Sequence, residues 1–410
     1  MKVLWILNTP LPEARCPLTG RPEVSNSTGS WVCALADALS SEKDLQLFTA
    51  APSPLAGELR GLQGETMTHF VFPPDSNPWK EIRDRIEPDV IHIHGSEYKH
   101  SLDYVKACGA HHVVVSLQGL VSEYQKVYFG GIAEETLRKS ISLRDRIRKD
   151  TVFTQQADMA RRGEYEVELL RTVQHVIGRT SWDKAVSLGI HPQLHYHFCN
   201  EALRAPFYSG RWSYSSCVQH RIFVSQGHNP IKGVHQLLEA LPLVLEQYPD
   251  THVRISGPNV LRGNSLKDRM LRNGYACLLS DRIQRNHLDK AVQFIGAADA
   301  EKVKAELLSA NVFALVSIIE NSPNSLCEAQ MLGVPCVASD VGGTADLIPN
   351  LSCGSLYPFE DPSLLAERIL DTFRESPRFD NTEMRSVAAK RHDRNAIKQD
   401  LLMIYGEIQD

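Results

Sequence analysis

The 410-residue sequence predicts an α/β protein with two Rossmann-like domains, each a parallel sheet covered by helices. Three observations predict it. Short apolar runs rich in β-branched residues alternate with helical stretches along the whole chain. Those runs do not alternate polar with apolar residues, as befits strands covered on both faces. The length exceeds what one hydrophobic core usually serves, so two domains are the default.

In the first half, strands are expected at Val3–Leu7, Leu45–Thr49, His69–Phe72, Val90–Ile93, His112–Ser116 and His175–Ile177. A long first loop, Pro10–Thr28, precedes a helix over Trp31–Leu39; long loops at that end of a strand often bind substrate. In the second half, strands are expected at Arg221–Ser225, His252–Ser256, Val292–Ile295, Val312–Ser317, Pro335–Ala338 and Ser355–Tyr357. Helices over Val234–Tyr248, Ala300–Ser309 and Ser363–Glu375 separate them. Each strand–helix–strand passage implies a parallel pair with a right-handed crossover. The stretch Asn200–His220 is polar and aromatic without periodicity and reads as the linker, which divides the chain into 1–200 and 201–392. Glu134–Arg171 is helical in pattern and rich in both charges. It reads as a solvated helix face or as a basic surface for anionic lipid headgroups. At the tail, Ile397, Leu401 and Ile404, flanked by Leu402 and Tyr405, form an apolar stripe that needs a partner surface.

Hydrophobic content of 42% and charged content of 23% are those of a globular protein. The net charge of −5 argues against a nucleic-acid partner. No apolar run approaches the roughly 20 residues of a membrane span. The start turns polar too soon for a secretory signal. The nine cysteines are odd in number and form no C-x-x-C pair. Reduced thiols in a cytoplasm fit them better than a disulfide framework or a zinc site, and no metal is expected. No G-x-G-x-x-G follows the first strand, which argues against a nicotinamide dehydrogenase.

The most informative run is Ile319-Glu320-Asn321-Ser322-Pro323-Asn324-Ser325-Leu326-Cys327-Glu328. A buried strand ends there, and after a turn a helix begins at about Ser325 and stops at Gly333. Two carboxylates thus flank a helix N-terminus at the carboxyl end of a strand, where open α/β sheets bind ligands and helix N–H groups suit a phosphate. Ser325-Leu326-Cys327-Glu328 also matches a capping box, in which Glu328 only satisfies backbone N–H groups. A second cluster, Ile222-Phe223-Val224-Ser225-Gln226-Gly227-His228-Asn229-Pro230-Ile231-Lys232-Gly233, is a strand and loop that places Lys232 just before a helix. Lys232 is either a phosphate partner or a surface lysine beside a turn glycine. In the run Ile91-His92-Ile93-His94-Gly95-Ser96-Glu97, His92 and His94 share a strand face. His92 reads as a core residue, and His94 as a core residue or a ligand.

These clusters, in this order, resemble the retaining family 4 (group 1) glycosyltransferases of the GT-B fold. Glu320 and Glu328 have the family's E-x7-E spacing, and Leu332–Gly343 resembles its following G-x-P…GG run. Ile177-Gly178-Arg179-Thr180-Ser181-Trp182-Asp183, Asn200–Arg204 with Phe207 and Tyr208, and Ser225-Gln226 resemble a bacterial surface-polysaccharide subgroup. The resemblance implies two domains facing a central cleft, with the C-terminal helix, about 393–410, packing back on the first domain. It implies transfer of a sugar from a UDP- or GDP-linked donor to a hydroxyl of a glycan or lipid-linked acceptor, with retention of configuration and without a metal. Capsule, O-antigen or exopolysaccharide synthesis at the inner face of the membrane is the implied setting, with possible peripheral membrane contact.

By the same resemblance, Glu320, Lys232 and His94 are catalytic. Glu320 holds the donor sugar and Lys232 stabilises the departing diphosphate. Asn324, Ser325 and Leu326 present the helix N-terminus to that diphosphate. Glu328 binds the ribose, and Gln226 and Gly227 lie on the donor loop. Gly29, Trp31 and Gln118 face the acceptor. Two departures stand out. The family's loop arginine would fall near Gly227, so Arg179 or Arg204 is expected to supply that charge. Gln118 occupies the place of a histidine in the N-terminal domain and cannot shuttle a proton. Two other readings stay open: a GT-B sugar-nucleotide epimerase, and a non-catalytic sugar-nucleotide-binding subunit.

Overall fold

The structure, a computed structural model, describes residues 1–19, 30–40, 42–259, 261, 265, 268 and 270–409. The chain divides into two units. The first comprises 1–123, 160–204 and 391–410, and the second 124–159 and 205–390.

The first unit is built on an eight-stranded sheet. Its strands are β1 (Lys2–Ile6), β2 (Gln46–Pro52), β3 (Arg60–Gln63), β4 (Thr68–Phe72), β5 (Val90–His94), β6 (Val113–Ser116), β7 (His175–Gly178) and β8 (His195–Phe198). Their order is β3-β4-β2-β1-β5-β6-β7-β8. Every neighbouring pair is parallel except β3 with β4. The central strands are apolar throughout because helices cover both faces; Val3, Leu4, Trp5 and Ile6 are fully buried. The edge strands β3 and β8 escaped the sequence reading for the converse reason. Arg60–Gln63 and His195–Phe198 are mostly exposed and carry little apolar signal.

The tail helix Arg394–Gln409 belongs to this unit and buries Ile397, Leu401, Ile404, Tyr405 and Ile408 in its core. The Tyr405 hydroxyl is its polar anchor, accepting from Trp5 Nε1 at 2.9 Å and bonding His92 Nδ1 at 2.7 Å. His92 Nε2 meets Ser116 Oγ at 2.6 Å. Burial holds His92 neutral, with a pKa well below its ordinary value, so this chain spans the sheet without a charge.

The second unit is built on a wholly parallel sheet of β9 (Arg221–Val224), β10 (His252–Ser256), β11 (Val292–Gly296), β12 (Val312–Leu315), β13 (Cys336–Ser339) and β14 (Ser355–Tyr357). The order is β11-β10-β9-β12-β13-β14.

The division differs from the expected 1–200 and 201–392: residues 124–159 group with the second unit, and 201–204 and 391–392 with the first. The segment Glu134–Arg171, helical in pattern, forms three helices, Glu134–Ser140, Leu143–Arg148 and Val152–Thr172. Ser142 restarts the chain with a capping box to Asp145, and Lys149 ends that helix in the left-handed region. The buried Asp145 carboxylate also accepts from the Gly274 N–H at 2.6 Å, and His235 Nε2 donates to the Gly130 carbonyl at 2.8 Å. Both bonds pin the excursion to the second unit's own helices. The expected linker is partly core as well, since Trp212 is buried and its Nε1 donates to the Ala310 carbonyl at 2.7 Å.

Candidate active site

In an open parallel sheet, ligands bind at the carboxyl ends of the strands where the winding direction reverses. Each unit has one such point. In the second it lies between β9 and β12, because the chain leaves β9 toward β10 on one side and returns to β12 on the other. In the first it lies between β1 and β5.

Lys232 follows β9 in a single 3-10 turn, Pro230–Lys232, and Glu320 follows β12. The structure joins them directly: Lys232 Nζ lies 2.7 Å from Glu320 Oε1, with the side chains 23% and 11% exposed. Backbone contacts lock both loops. The Ile318 N–H donates to the Ile231 carbonyl at 2.9 Å, and the Gly343 N–H to the Glu320 carbonyl at 3.0 Å. Two glycines permit this. Gly233 has φ +67°, and a Cβ there would sit 1.6 Å from the Val316 carbonyl oxygen. Gly342 has φ +54°, and a Cβ there would sit 2.0 Å from that of Glu320. Neither position tolerates a side chain.

The helix Asn324–Leu332 begins four residues beyond Glu320 and ends at Gly333 in the left-handed conformation. Its N-cap is Pro323, with no side-chain cap, so the capping box read at Ser325–Glu328 does not form. Ser325 is already the second helical residue. Glu328 is buried one turn in, Leu326 is fully buried, and Asn324 and Ser325 are half-buried at the helix start. Gln226 is exposed on the β9 loop. Gly227 is tightly packed: a Cβ there would lie 2.7 Å from Val234 Cγ2 and 2.9 Å from Ile255 Cγ2, so any side chain would require those methyl groups to shift. His228 is neutral: burial, then the charge of Lys232, lowers its pKa.

In the first unit, a pocket at the β1/β5 switch point is lined by Asn8, Arg15, His94, Glu97, Tyr98 and Gln118. His94 stacks on His92 at 3.8 Å, and burial pushes its pKa down to about 3. It is a neutral imidazole throughout the physiological range. Gln118 Nε2 donates to Glu201 Oε1 at 3.0 Å, which fixes its amide. Arg179 is the cation that the sequence reading expects at the diphosphate. Its guanidinium lies in the first unit, paired with Glu201 and donating to the carbonyls of Leu117 and Gln118. It braces the loop that carries Gln118. Part of the expected first loop is a helix, Pro12–Thr19. Gly29 and the Trp31 side chain lie outside the described residues.

The sequence reading gave no role to four buried carboxylates of this unit, Glu97, Glu166, Asp183 and Glu201. Glu97 stands in the quoted His94 run, but nothing in the spacing says that it is buried. Among the described residues, no group of three or more His, Cys, Asp or Glu side chains is arranged to hold a metal ion. No helix there is long and apolar enough to cross a membrane.

Residues 219–392 match the family model of glycosyl transferases group 1. A phosphatidyl-myo-inositol mannosyltransferase of Mycobacterium leprae (strain TN) is 28% identical over 190 residues, 45% of this chain and 45% of that protein. A putative colanic acid biosynthesis glycosyltransferase, WcaL, of Salmonella typhimurium is 27% identical over 207 residues, 46% of this chain and 50% of that protein. The chain thus spans about half the length of the curated relatives it matches. Among solved structures, sucrose-phosphate synthase from Thermosynechococcus elongatus gives a TM-score of 0.68 at 16% identity, covering 99% of this chain and 98% of that one. Anabaena HepE in complex with UDP-glucose gives 0.66 at 15% identity, covering 99% and 100%. At such identities the likeness is one of fold, and the fold is GT-B.

Proposed function

We propose, for a chain whose residues 219–392 match the family model of glycosyl transferases group 1, that it moves a sugar from a nucleotide-diphosphate donor to a hydroxyl acceptor. The observation that carries the proposal is the Lys232–Glu320 pair at the β9/β12 switch point, one turn of chain from the N-terminus of the helix Asn324–Leu332. Cleaving a sugar–phosphate bond leaves negative charge on the diphosphate. A preorganised ammonium and helix N–H groups stabilise that charge where it develops. The Lys232 ammonium is held by Glu320 until a diphosphate takes it over. Glu320 is then released to accept hydrogen bonds from the donor sugar. Glu328, buried in the next turn, holds the ribose hydroxyls. The UDP-glucose in the HepE complex supports a nucleotide sugar as donor class.

The acceptor is a glycan or lipid-linked hydroxyl held by the first unit, with His94 and Gln118 as neutral hydrogen-bonding partners. Because His94 is neutral and Gln118 cannot take a proton, we assign no base to either. The leaving phosphate accepts the acceptor proton in a front-face displacement with retention. No metal takes part, since Lys232 and the helix N-terminus supply the positive charge. The relatives named for colanic acid synthesis support a surface-polysaccharide pathway. We place the reaction in the cytoplasm, at the inner face of the membrane.

Thermal unfolding with UDP-glucose, GDP-mannose and their free diphosphates tests the reading. A nucleotide sugar at a hundred times its Kd should add about 2.7 kcal/mol of stability. Absence of protection by any nucleotide or nucleotide sugar would sink the proposal. Sugar-nucleotide isomers formed without an acceptor would replace it with the epimerase.

A further inference from the structure

Among the described residues, Glu97 is the one carboxylate lining the pocket at the β1/β5 switch point, and its burial is only partly compensated. The residue is 8% exposed. Among the described residues, its Oε2 is buried with no hydrogen-bond partner. Desolvation raises its pKa, and its own backbone N–H, the charge of Arg162 and the Tyr98 hydroxyl only partly oppose that rise. Arg162 Nη1 approaches Oε1 to 4.0 Å, beyond hydrogen-bond range, and the Tyr98 hydroxyl, which accepts from Asn8 Nδ2 at 2.7 Å, keeps its own proton to offer the carboxylate. A second buried carboxylate, Glu166, fixes the turn that presents it. Glu166 accepts from Ser96 Oγ at 2.6 Å and from Ser122 Oγ at 2.6 Å, tying the loop after β5 to the loop after β6. The Ser122 and Val121 N–H groups donate to it as well. Ser96 is therefore anchored, and the next side chain is delivered to the pocket wall beside His94 and Gln118.

An unsatisfied buried acceptor on a rigid turn is costly in the free protein and calls for a ligand donor. We propose that Glu97 is the acceptor-reading residue of this pocket, its Oε2 accepting a hydrogen bond from a hydroxyl of a neutral sugar. The proposal rests on the glycosyl-transfer reading, and it adds the chemical demand made on the acceptor. At this point the ligand must donate a hydroxyl hydrogen, and an ether or deoxy position cannot replace it. The same group could meet a hydroxyl of the donor sugar, so the test separates the two sources.

Saturation-transfer NMR and thermal unfolding would follow methyl α-D-glucopyranoside, methyl α-D-mannopyranoside, UDP and UDP-glucose on the wild type, E97Q and E97A. The wild type should bind a methyl glycoside, and E97A should bind it at least about tenfold more weakly, the loss of one hydrogen bond to a charged acceptor. The Tm of E97A should not fall below that of the wild type, because the change removes a buried, incompletely paired carboxylate. A residue with a merely structural role would give the opposite pattern, a lowered Tm with unchanged glycoside affinity, and that result overturns the proposal. So does a wild type that binds neither glycoside. If E97A does not fold, E97Q decides: with a wild-type Tm it must bind the glycoside at least about threefold more weakly, because a neutral acceptor bonds less strongly than a charged one. Weakening of UDP-glucose but not of UDP, with the glycosides unaffected, would assign Glu97 to the donor sugar and overturn the acceptor assignment. Failure of nucleotide sugars to protect the wild type, with glycosides still bound through Glu97, would strike at the transfer reading and leave this contact standing.

Discussion

Breaking the Lys232–Glu320 pair should have two separable consequences, one for folding and one for ligand binding. The pair is 2.7 Å long, with side chains 23% and 11% exposed. Unit charges about 4 Å apart attract by roughly 4 kcal/mol at an effective dielectric near 20. Desolvation and side-chain ordering consume most of that. Exposed pairs contribute about 0–1 kcal/mol, and stripping one partner from a fully buried pair costs about 3–5 kcal/mol. The partial exposure places this pair between those limits. Lys232→Met should destabilise the protein by about 2 kcal/mol and Glu320→Gln by about 1 kcal/mol. The double variant should lose less than the sum, with a coupling of about 1 kcal/mol. Urea unfolding of the four proteins measures the cycle. Ligand binding should then part the two residues. Lys232→Met should weaken UDP or GDP and lower turnover by roughly 2–4 kcal/mol of transition-state stabilisation. Glu320→Gln frees the lysine, so free nucleotide diphosphate should bind at least as well as to the wild type, while turnover of the full donor falls sharply. Equal loss of diphosphate affinity in both variants would refute the assignment of Lys232 to phosphate and Glu320 to sugar. A coupling near zero would refute the pairing itself.

Other perturbations test the frame around the two sites. Burial raises the Glu166 carboxyl to about 7 from an ordinary 4.5. The native state thus keeps a proton that the unfolded chain has already lost, and this contribution, complete below about pH 4.5, fades as pH rises through 7. The total is on the order of 3 kcal/mol. Denaturation at pH 5 and pH 8 should show that slope in the wild type and its loss in Glu166→Gln; parallel slopes would count against it. Tyr405→Phe leaves Trp5 Nε1 and His92 without their shared partner, and should cost about 1–3 kcal/mol of stability while nucleotide binding is kept. Gly342→Ala drives a methyl into the Glu320 carbonyl at φ +54° and should unseat that turn, with donor affinity falling by more than tenfold on calorimetry, an expectation that unchanged affinity would defeat. Glu328→Ala should weaken the nucleotide far more than it lowers Tm, because no capping box depends on that side chain.

The local grammar of the chain was legible without a structure. Short apolar runs such as Val312–Leu315, bounded by turn signals, read as strands covered on both faces, and Gly233 and Gly333 read as the ends of a turn and a helix. The strand–loop–lysine and E-x7-E clusters therefore fell at the carboxyl ends of strands, where a parallel sheet binds ligands, and the stripe Ile397, Leu401, Ile404 announced a buried face. What the sequence could not carry is pairing across long separations. Lys232 and Glu320 stand 88 residues apart, and only the β9/β12 adjacency brings their charges together. Arg179 read as a spare cation because its partner Glu201 is distant in sequence and close only after β7 is in place. Burial was hidden in the same way. Glu97 and Glu166 look like surface acids in a linear reading, and the folded loops alone desolvate them. Charge pairing and desolvation depend on three-dimensional distance, whereas strand and helix periodicity depend on neighbours along the chain. The sequence by itself determined the apolar central strands and their carboxyl ends, and the tertiary structure decided which charges pair and which carboxylates lose their water.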